Sequence, residues 1–336
     1  MTPICTQHID HPSAWTPRSL GGKDALKRPL TAVELDAIEA VLERTRIQAP
    51  QQVTRADFDH PIVNRLLEEL RDIIMNGRGI FIVTGIAPER FSEEDFQRIY
   101  WGFGTHLGIG AVQSGNGDRL GYVQNREDDP VKRGYRSLRE LHMHTDSYEV
   151  VGLMSVRKAK SGGLSGLASS LAIHNEILAT RPELLAPLYK GFRIASEEAR
   201  FSSKAITDDE MPIFCYVDGK VSCMYEPSHM KNAAELLGGM PDDLAEALDC
   251  FDAIANRDDI ALRFLLEPGE MMIWHNYLNL HSRTAFEDDP ASKRLLLRLW
   301  LSVPNGRPSD PAFKMRAETY ERIYRERLAQ ATAEST

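Results

Sequence analysis

The run "RLLLRLWLSV", residues 294–303, constrains the fold more than any other stretch of the chain. On a strand, side chains alternate faces, so Arg294 and Arg298, four apart, share one side while Leu295 and Leu297 take the other. A guanidinium buried in such an apolar setting destabilises the fold unless it meets an anion. Its planar fork is matched to a carboxylate. The run therefore predicts a strand that carries a carboxylate-binding face.

Other runs complete the pattern. Strand-like segments occur at "GIFIVTG" (79–85), "LGYVQN" (120–125), "EVVGLMSV" (149–156), "PIFCYV" (212–217), "KVSCMY" (220–225) and "EMMIWHN" (270–276). Asp218-Gly219 between two of them signals a hairpin turn. Apolar residues spaced three and four apart predict helices over 31–47, 60–77, 169–192 and 242–256. Another spans 92–108, where Ser92 and the acidic residues behind it form a capped first turn. We expect an α+β fold: an N-terminal arm over 1–30, then one domain over 31–336 with helices outside a strand-rich centre. A long C-terminal helix is expected at about 312–333. It has two ways to pack, on its own domain or on a second subunit as a homo-oligomer.

A net charge of -9 argues against a general nucleic-acid or anionic-membrane surface. No apolar run is long enough to span a membrane. The first 15 residues lack a basic segment followed by an apolar one, so a cytoplasmic protein is expected. None of the four cysteines forms a CxxC pair. Cys215 and Cys223 flank the predicted hairpin, and reduced core thiols are expected there.

The chemistry centres on "ELHMHTDSYE" (140–149), where His142, His144 and Asp146 alternate and so share a strand face. Two histidines and a carboxylate on one face of an octahedron suit non-haem Fe(II) and leave three positions for substrate and dioxygen. His275 and His281, in "IWHNYLNLHSRTAF", are the candidates for a distant ligand. Their relative facing depends on whether "NYLN" forms a turn, so spacing alone leaves both open.

With these residues in view, the chain resembles the Fe(II)/2-oxoglutarate-dependent dioxygenases of the TauD/TfdA type. His144-Thr145-Asp146 matches the family's His-x-Asp element. Arg294 lies 13 residues beyond His281 and 19 beyond His275, and only the shorter interval fits the family's distal His and Arg. "SGGLSGLAS" (161–169) resembles the family's glycine turn, with Ser165, or its rivals Ser169 and Ser170, where a hydroxyl touches 2-oxoglutarate. "GRGIFIVTGIAPERFSEEDFQRIYWGFGTHLG" resembles its N-terminal strand and helix, so the likeness runs from about 77 to 303.

The resemblance implies a double-stranded β-helix, a distorted jelly roll. It implies His144, Asp146 and His281 as ligands of Fe(II), with Arg294 and Ser165 on 2-oxoglutarate. O2 would be consumed and a small-molecule substrate oxidised, by default hydroxylated, as 2-oxoglutarate becomes succinate and CO2. Desaturation, cyclisation and oxidative cleavage use the same ligands. The carboxylate of Asp146 disfavours halogenation. Rival readings are a cupin-like oxygenase without 2-oxoglutarate and a non-catalytic ligand-binding protein.

Further candidates surround this set. His142 is expected to line the pocket without binding metal, since the three-ligand set is complete without it. Arg298 is assigned either to an anionic group on the substrate or to an ion pair with Glu270 or Asp146. Arg283 could share the face of His281, or form an ion pair beside it. Gln113 is a candidate pocket residue near a strand end. The stretch 133–140 reads as a lid or a solvated loop.

Overall fold

The structure, a computed structural model, describes residues 3–113, 117–126, 136–195 and 206–334. It opens with α1 (Pro17–Leu20), β1 (Lys27–Pro29), α2 (Ala32–Thr45), α3 (Pro61–Met75), β2 (Ile80–Thr84) and α4 (Glu93–Leu107). Six strands follow: β3 (Ile109–Gly110), β4 (Gly121–Val123), β5 (Leu141–His144), β6 (Val150–Arg157), β7 (Ser161–Gly162) and β8 (Ser165–Ser169). Helices α5 (Ser170–Thr180) and α6 (Leu185–Lys190) lead to the hairpin of β9 (Phe214–Val217) and β10 (Lys220–Cys223), then to α7 (Pro227–Leu237) and α8 (Asp242–Ala255). Strands β11 (Ala261–Phe264), β12 (Met271–His275), β13 (Asn279–Arg283), β14 (Phe286–Glu287) and β15 (Leu295–Ser302) precede α9 (Pro311–Glu334).

Two sheets form the core, which is a double-stranded β-helix. The larger runs β1-β2-β12-β6-β15-β3, with β4 also on β15; the smaller runs β11-β8-β13-β5. Alternation decides what each strand buries. Ile82, Met272, Trp274 and Leu296 of the large sheet meet Leu167 and Phe264 of the small one. Their neighbours Phe81, Val83, Ile273, Leu297 and Leu299 turn outward onto Ile38, Leu66, Phe96 and Tyr100 of α2, α3 and α4. Each fully buried side chain of this size contributes about 1.5–3 kcal/mol. A third cluster, including Leu171, Leu188, Phe214 and Phe251, packs α5, α6 and α8 around the β9–β10 hairpin.

The N-terminal segment is stitched to the core. β1 adds to the large sheet parallel to β2, and Trp15 donates its indole N–H to Asn279 Oδ1 at 3.1 Å, at the start of β13. At the other end, the buried Phe313 of α9 packs on Tyr277, 5.3 Å between ring centres.

Several expectations meet their physical cause here. Ser92 caps α4 in a reciprocal capping box with Asp95. Asp218 and Gly219 both take positive φ, as the two-residue hairpin requires. Cys215 pairs in register with Ser222 rather than Cys223, so the two sulfurs point to opposite faces and both thiols are free. The helix expected over 169–192 is broken at Arg181-Pro182, because proline cannot continue the hydrogen-bond ladder. "SGGLSGLAS" bends at Gly162 and Gly163, both at φ 71°, between β7 and the strand that begins at Ser165. Helix α7 and strand β11 form where the sequence pattern predicts neither. No helix among the described residues is long and apolar enough to cross a membrane.

Gly152, in mid-β6, lets α4 approach the sheet closely. A Cβ there would lie 2.6 Å from Tyr100 Oη and 3.0 Å from Ile273 Cγ1. Gly152→Ala is expected to destabilise the fold by about 1–3 kcal/mol, read as a lowered thermal midpoint at fixed scan rate.

Candidate metal centre

Strand register brings the donors together. β13 runs antiparallel to β5 with His281 directly opposite His144, and opposed residues project on the same face. The two imidazoles lie 4.2 Å apart, centre to centre. Asp146 sits two residues past the end of β5, and its Oδ2 reaches to 3.4 Å from His281 Nε2. Ligand atoms of His144, Asp146 and His281 all lie within 4.8 Å of one another. Two nitrogens and one carboxylate oxygen on one side of a cavity can hold a divalent ion and leave its other positions open.

Neighbouring groups set the protonation and aim of each donor. His144 Nδ1 lies 2.7 Å from the carbonyl of His142; donating its proton there leaves Nε2 for a metal. Burial and the nearby His144 push His281 below the usual imidazole range, against the opposing pull of Asp146. Burial alone would push the Asp146 carboxyl up. Its hydrogen bond to His281 and the charges of His281, Arg298 and His144 outweigh that and hold it well below the usual carboxylate range. The site therefore presents Asp146 as a carboxylate, the form that binds metal.

Two residues that sequence reasoning missed fix Asp146. Trp300 donates its indole N–H to Asp146 Oδ2 at 2.8 Å. Asn276, fully buried in the turn between β12 and β13, accepts the Asp146 N–H at 3.1 Å. It also donates to the Asp146 and Tyr148 carbonyls, both at 2.8 Å. Trp300 had a signal, since it continues the parity of Arg294 and Arg298. Asn276 had none beyond its place in "NYLN".

The donors open onto a cavity of about 650 Å³ that Ser165, Trp274, Arg283, Arg294, Arg298 and Trp300 help to line. Arg294 is nearly fully buried, and burial together with the nearby Arg283 pushes its guanidinium down to about 9. Among the described residues its Nη1 has no hydrogen-bond partner. Such an orphaned cation fits an anionic ligand. The glycine turn passes close by: a Cβ on Gly163 would lie 3.3 Å from Arg294 Nε.

Other candidates fall elsewhere. His142 is exposed on the cavity rim with Nδ1 3.2 Å from Glu140 Oε1, and it is outside the convergent trio. Arg298 receives its orientation from Gln113, whose Oε1 accepts from Arg298 Nε at 2.8 Å, while the guanidinium stacks over Trp300 at 4.0 Å. Gln113 is thus behind the wall and not a lining residue, a correction to its expected place: its amide also donates to the Arg119 and Arg298 carbonyls. Glu270 pairs with Lys23. Ser169 caps α5 and bonds the Ser13 carbonyl, and Ser170 bonds the Tyr277 carbonyl, which leaves Ser165 facing the cavity. His275 is buried beyond the turn, 3.3 Å from Glu149 Oε1. Of the arginine-rich stretch, 133–135 lies outside the described residues.

A family model, "Taurine catabolism dioxygenase TauD, TfdA family", matches residues 43–300. The chain belongs to this family. It is an Fe(II)/2-oxoglutarate-dependent dioxygenase. "FR-33289 synthase" of Streptomyces rubellomurinus (strain ATCC 31215) is 30% identical over 316 residues, covering 89% of this chain and 88% of that one. "Taurine hydroxylase-like protein SAT17" of Stachybotrys chartarum (strain CBS 109288 / IBT 7711) is 25% identical over 311 residues, 85% and 77% of the two chains. Among solved structures, asparagine oxygenase with Fe(II), 2S,3S-3-hydroxyasparagine and succinate superposes at TM-score 0.66 with 16% identity, over 82% of this chain and 93% of that one. The non-heme iron oxygenase OrfP with Fe and alpha-ketoglutaric acid does so at 0.62 with 13% identity, over 83% and 94%. These folds are alike, and the family assignment favours the 2-oxoglutarate-dependent reading over the cupin-like and ligand-binding ones.

Removing the indole N–H from this TauD/TfdA-type centre should loosen its carboxylate. Trp300→Phe is expected to weaken Fe(II) binding by about 10- to 100-fold in an anaerobic competition titration, with the far-UV spectrum unchanged.

Proposed function

We propose that His144, Asp146 and His281 hold Fe(II), that Arg294 and Ser165 receive the distal carboxylate of 2-oxoglutarate, and that the enzyme hydroxylates a small organic substrate bearing an anionic group. The observation that carries this reading is the meeting, in one cavity, of a two-imidazole, one-carboxylate trio and a buried arginine with an orphaned nitrogen. Both groups fit their ligands. The trio supplies nitrogen and carboxylate donors suited to Fe(II), and Arg294 lacks only an anion.

When bound, iron and 2-oxoglutarate supply the oxidation: with O2 they yield succinate and CO2 and deliver one oxygen atom to a substrate C–H bond. The chain's own residues set the geometry. Trp300 and Asn276 hold Asp146 in place, and the His142 carbonyl holds His144. Val151, Leu153 and Trp274 give the cavity an apolar wall that excludes water from the reacting atoms. Arg298, fixed by Gln113 and stacked on Trp300, is the group assigned to the substrate's anionic end. The two structural relatives carry hydroxylated amino acids in their solved complexes, 3-hydroxyasparagine for asparagine oxygenase and (3S)-hydroxy-L-Arg for OrfP. That supports hydroxylation of a compact polar molecule here. Four free cysteines and a ferrous centre suit a reducing compartment, in keeping with a cytoplasmic enzyme.

Anaerobic addition of Fe(II) and 2-oxoglutarate is expected to give a weak visible charge-transfer band; its absence from the wild type would sink the reading. His144→Ala and His281→Ala are expected to lose coupled succinate release, whereas His142→Ala should retain iron. A succinate-release screen over small acids and amino acids would then find the substrate.

A further inference from the structure

Arg283 is a second buried cation beside the cosubstrate site, and nothing in the reading above uses it. It follows His281 by two on β13, so both face the cavity, and it pairs directly across β8 with Ser165. Its guanidinium carbon lies 4.8 Å from the centre of the Phe286 ring, and that of Arg294 lies 5.0 Å from the same centre. The two cannot be further apart than those distances combined. Both side chains are more than nine-tenths buried.

Only part of Arg283 is satisfied. Its Nη2 donates to the carbonyls of Ser137 and Arg139, which anchors the fork to the segment entering β5. Among the described residues Nε and Nη1 have no hydrogen-bond partner. Asp288 is a carboxylate whose charge acts on both arginines. It spends Oδ1 on the Arg294 backbone N–H and leaves Oδ2 unpartnered. Two guanidinium groups against one carboxylate leave one positive charge in excess. A single added carboxylate would balance the group.

We propose that the distal-carboxylate site for 2-oxoglutarate in this chain is a two-arginine site, in which Arg283 and Arg294, set around Phe286, bind the same carboxylate with Ser165 alongside. The proposal rests on the reading that Arg294 faces the cosubstrate. It makes Arg283 a binding residue for the C5 carboxylate and ties cosubstrate binding to the segment that carries His144.

The test compares two keto acids on the iron-loaded protein under anaerobic conditions, by calorimetry and by the charge-transfer band. One is 2-oxoglutarate. The other is 2-oxopentanoate, the same carbon chain with a methyl group in place of the distal carboxylate. Arg283→Gln is expected to raise the Kd for 2-oxoglutarate about 10- to 100-fold, the range for a charge-assisted hydrogen bond, and to leave that for 2-oxopentanoate unchanged. Arg283→Lys keeps the charge but not the fork, so the loss should be smaller, roughly 3- to 10-fold, and again confined to 2-oxoglutarate. It carries the same comparison if the glutamine variant does not fold. Equal weakening of both keto acids would make Arg283 a structural residue and overturn the proposal, as would no weakening of either. If Arg294→Gln also leaves 2-oxoglutarate binding intact, the underlying reading of the cosubstrate site fails instead.

Discussion

His281 meets His144 because β13 lies antiparallel to β5 in one register, and much of the site depends on that alignment. A slip by one residue would turn the imidazole of His281 to the far face and bring Leu280 or Ser282 into its place. It would also carry Arg283 away from Ser165, since the same strand is aligned on its other edge with β8. The alignment is enforced from outside the pair. Asn279, at the start of β13, bonds the Gly79 and His275 carbonyls through its amide and accepts the Trp15 indole. Asn276, three residues earlier, clamps Asp146. Two buried asparagines thus lock the turn that feeds β13, and each makes several bonds whose loss would strand backbone groups without water.

How much of this was legible in the sequence follows from the range of the forces involved. The apolar face of β15 and the shared face of Arg294 and Arg298 are set by strand alternation, a local rule, and the structure follows it. The capped start of α4 and the Asp218-Gly219 turn are equally local. His144 and Asp146 were visible as a pair, but the choice between His275 and His281 was not open to spacing alone. It depended on the turn at Asn276–Leu278, which reverses the chain and buries His275 beside Glu149. The family resemblance supplied that choice. Gln113 misled because polarity near a strand end does not distinguish a residue facing the cavity from one holding Arg298 from behind. Trp300 and Asn276 act through contacts to residues more than a hundred positions away, which no window on the sequence contains.

Charge organises the cavity in a way that burial alone does not predict. Arginines 283, 294 and 298 lie within it or along its wall, and Asp146 is the carboxylate at the centre of the donor trio. In a low-dielectric interior, buried guanidinium groups such as those of Arg283 and Arg294 are stabilised when an anion arrives. On the proposed assignment, one carboxylate of the cosubstrate meets the metal side and the other the arginines, and the metal would offset the charge of Asp146. Ligand binding therefore completes the electrostatics of the fold, and the empty protein should be less stable than the loaded one by mass action.

Specificity for the substrate has to come from the part of the wall that this shared chemistry does not use. The family match ends at residue 300, yet Arg316 of α9 lines the same cavity. It pairs with Glu226 at 3.0 Å, and both side chains are nearly buried. Glu226 stands at the head of α7, and Ser228, Met230 and Lys231 of that helix also face the cavity. An ion pair this buried resists separation, because removing one partner leaves the other charge uncompensated at a cost of about 3–5 kcal/mol. It therefore fixes α9 against α7 as a rigid outer wall. The residues proposed for iron and cosubstrate sit on core strands or directly beside them, where register leaves little freedom. Residues of α7, α8 and α9 build that wall away from the strands beneath, so the shape presented to a substrate can vary without disturbing the donors.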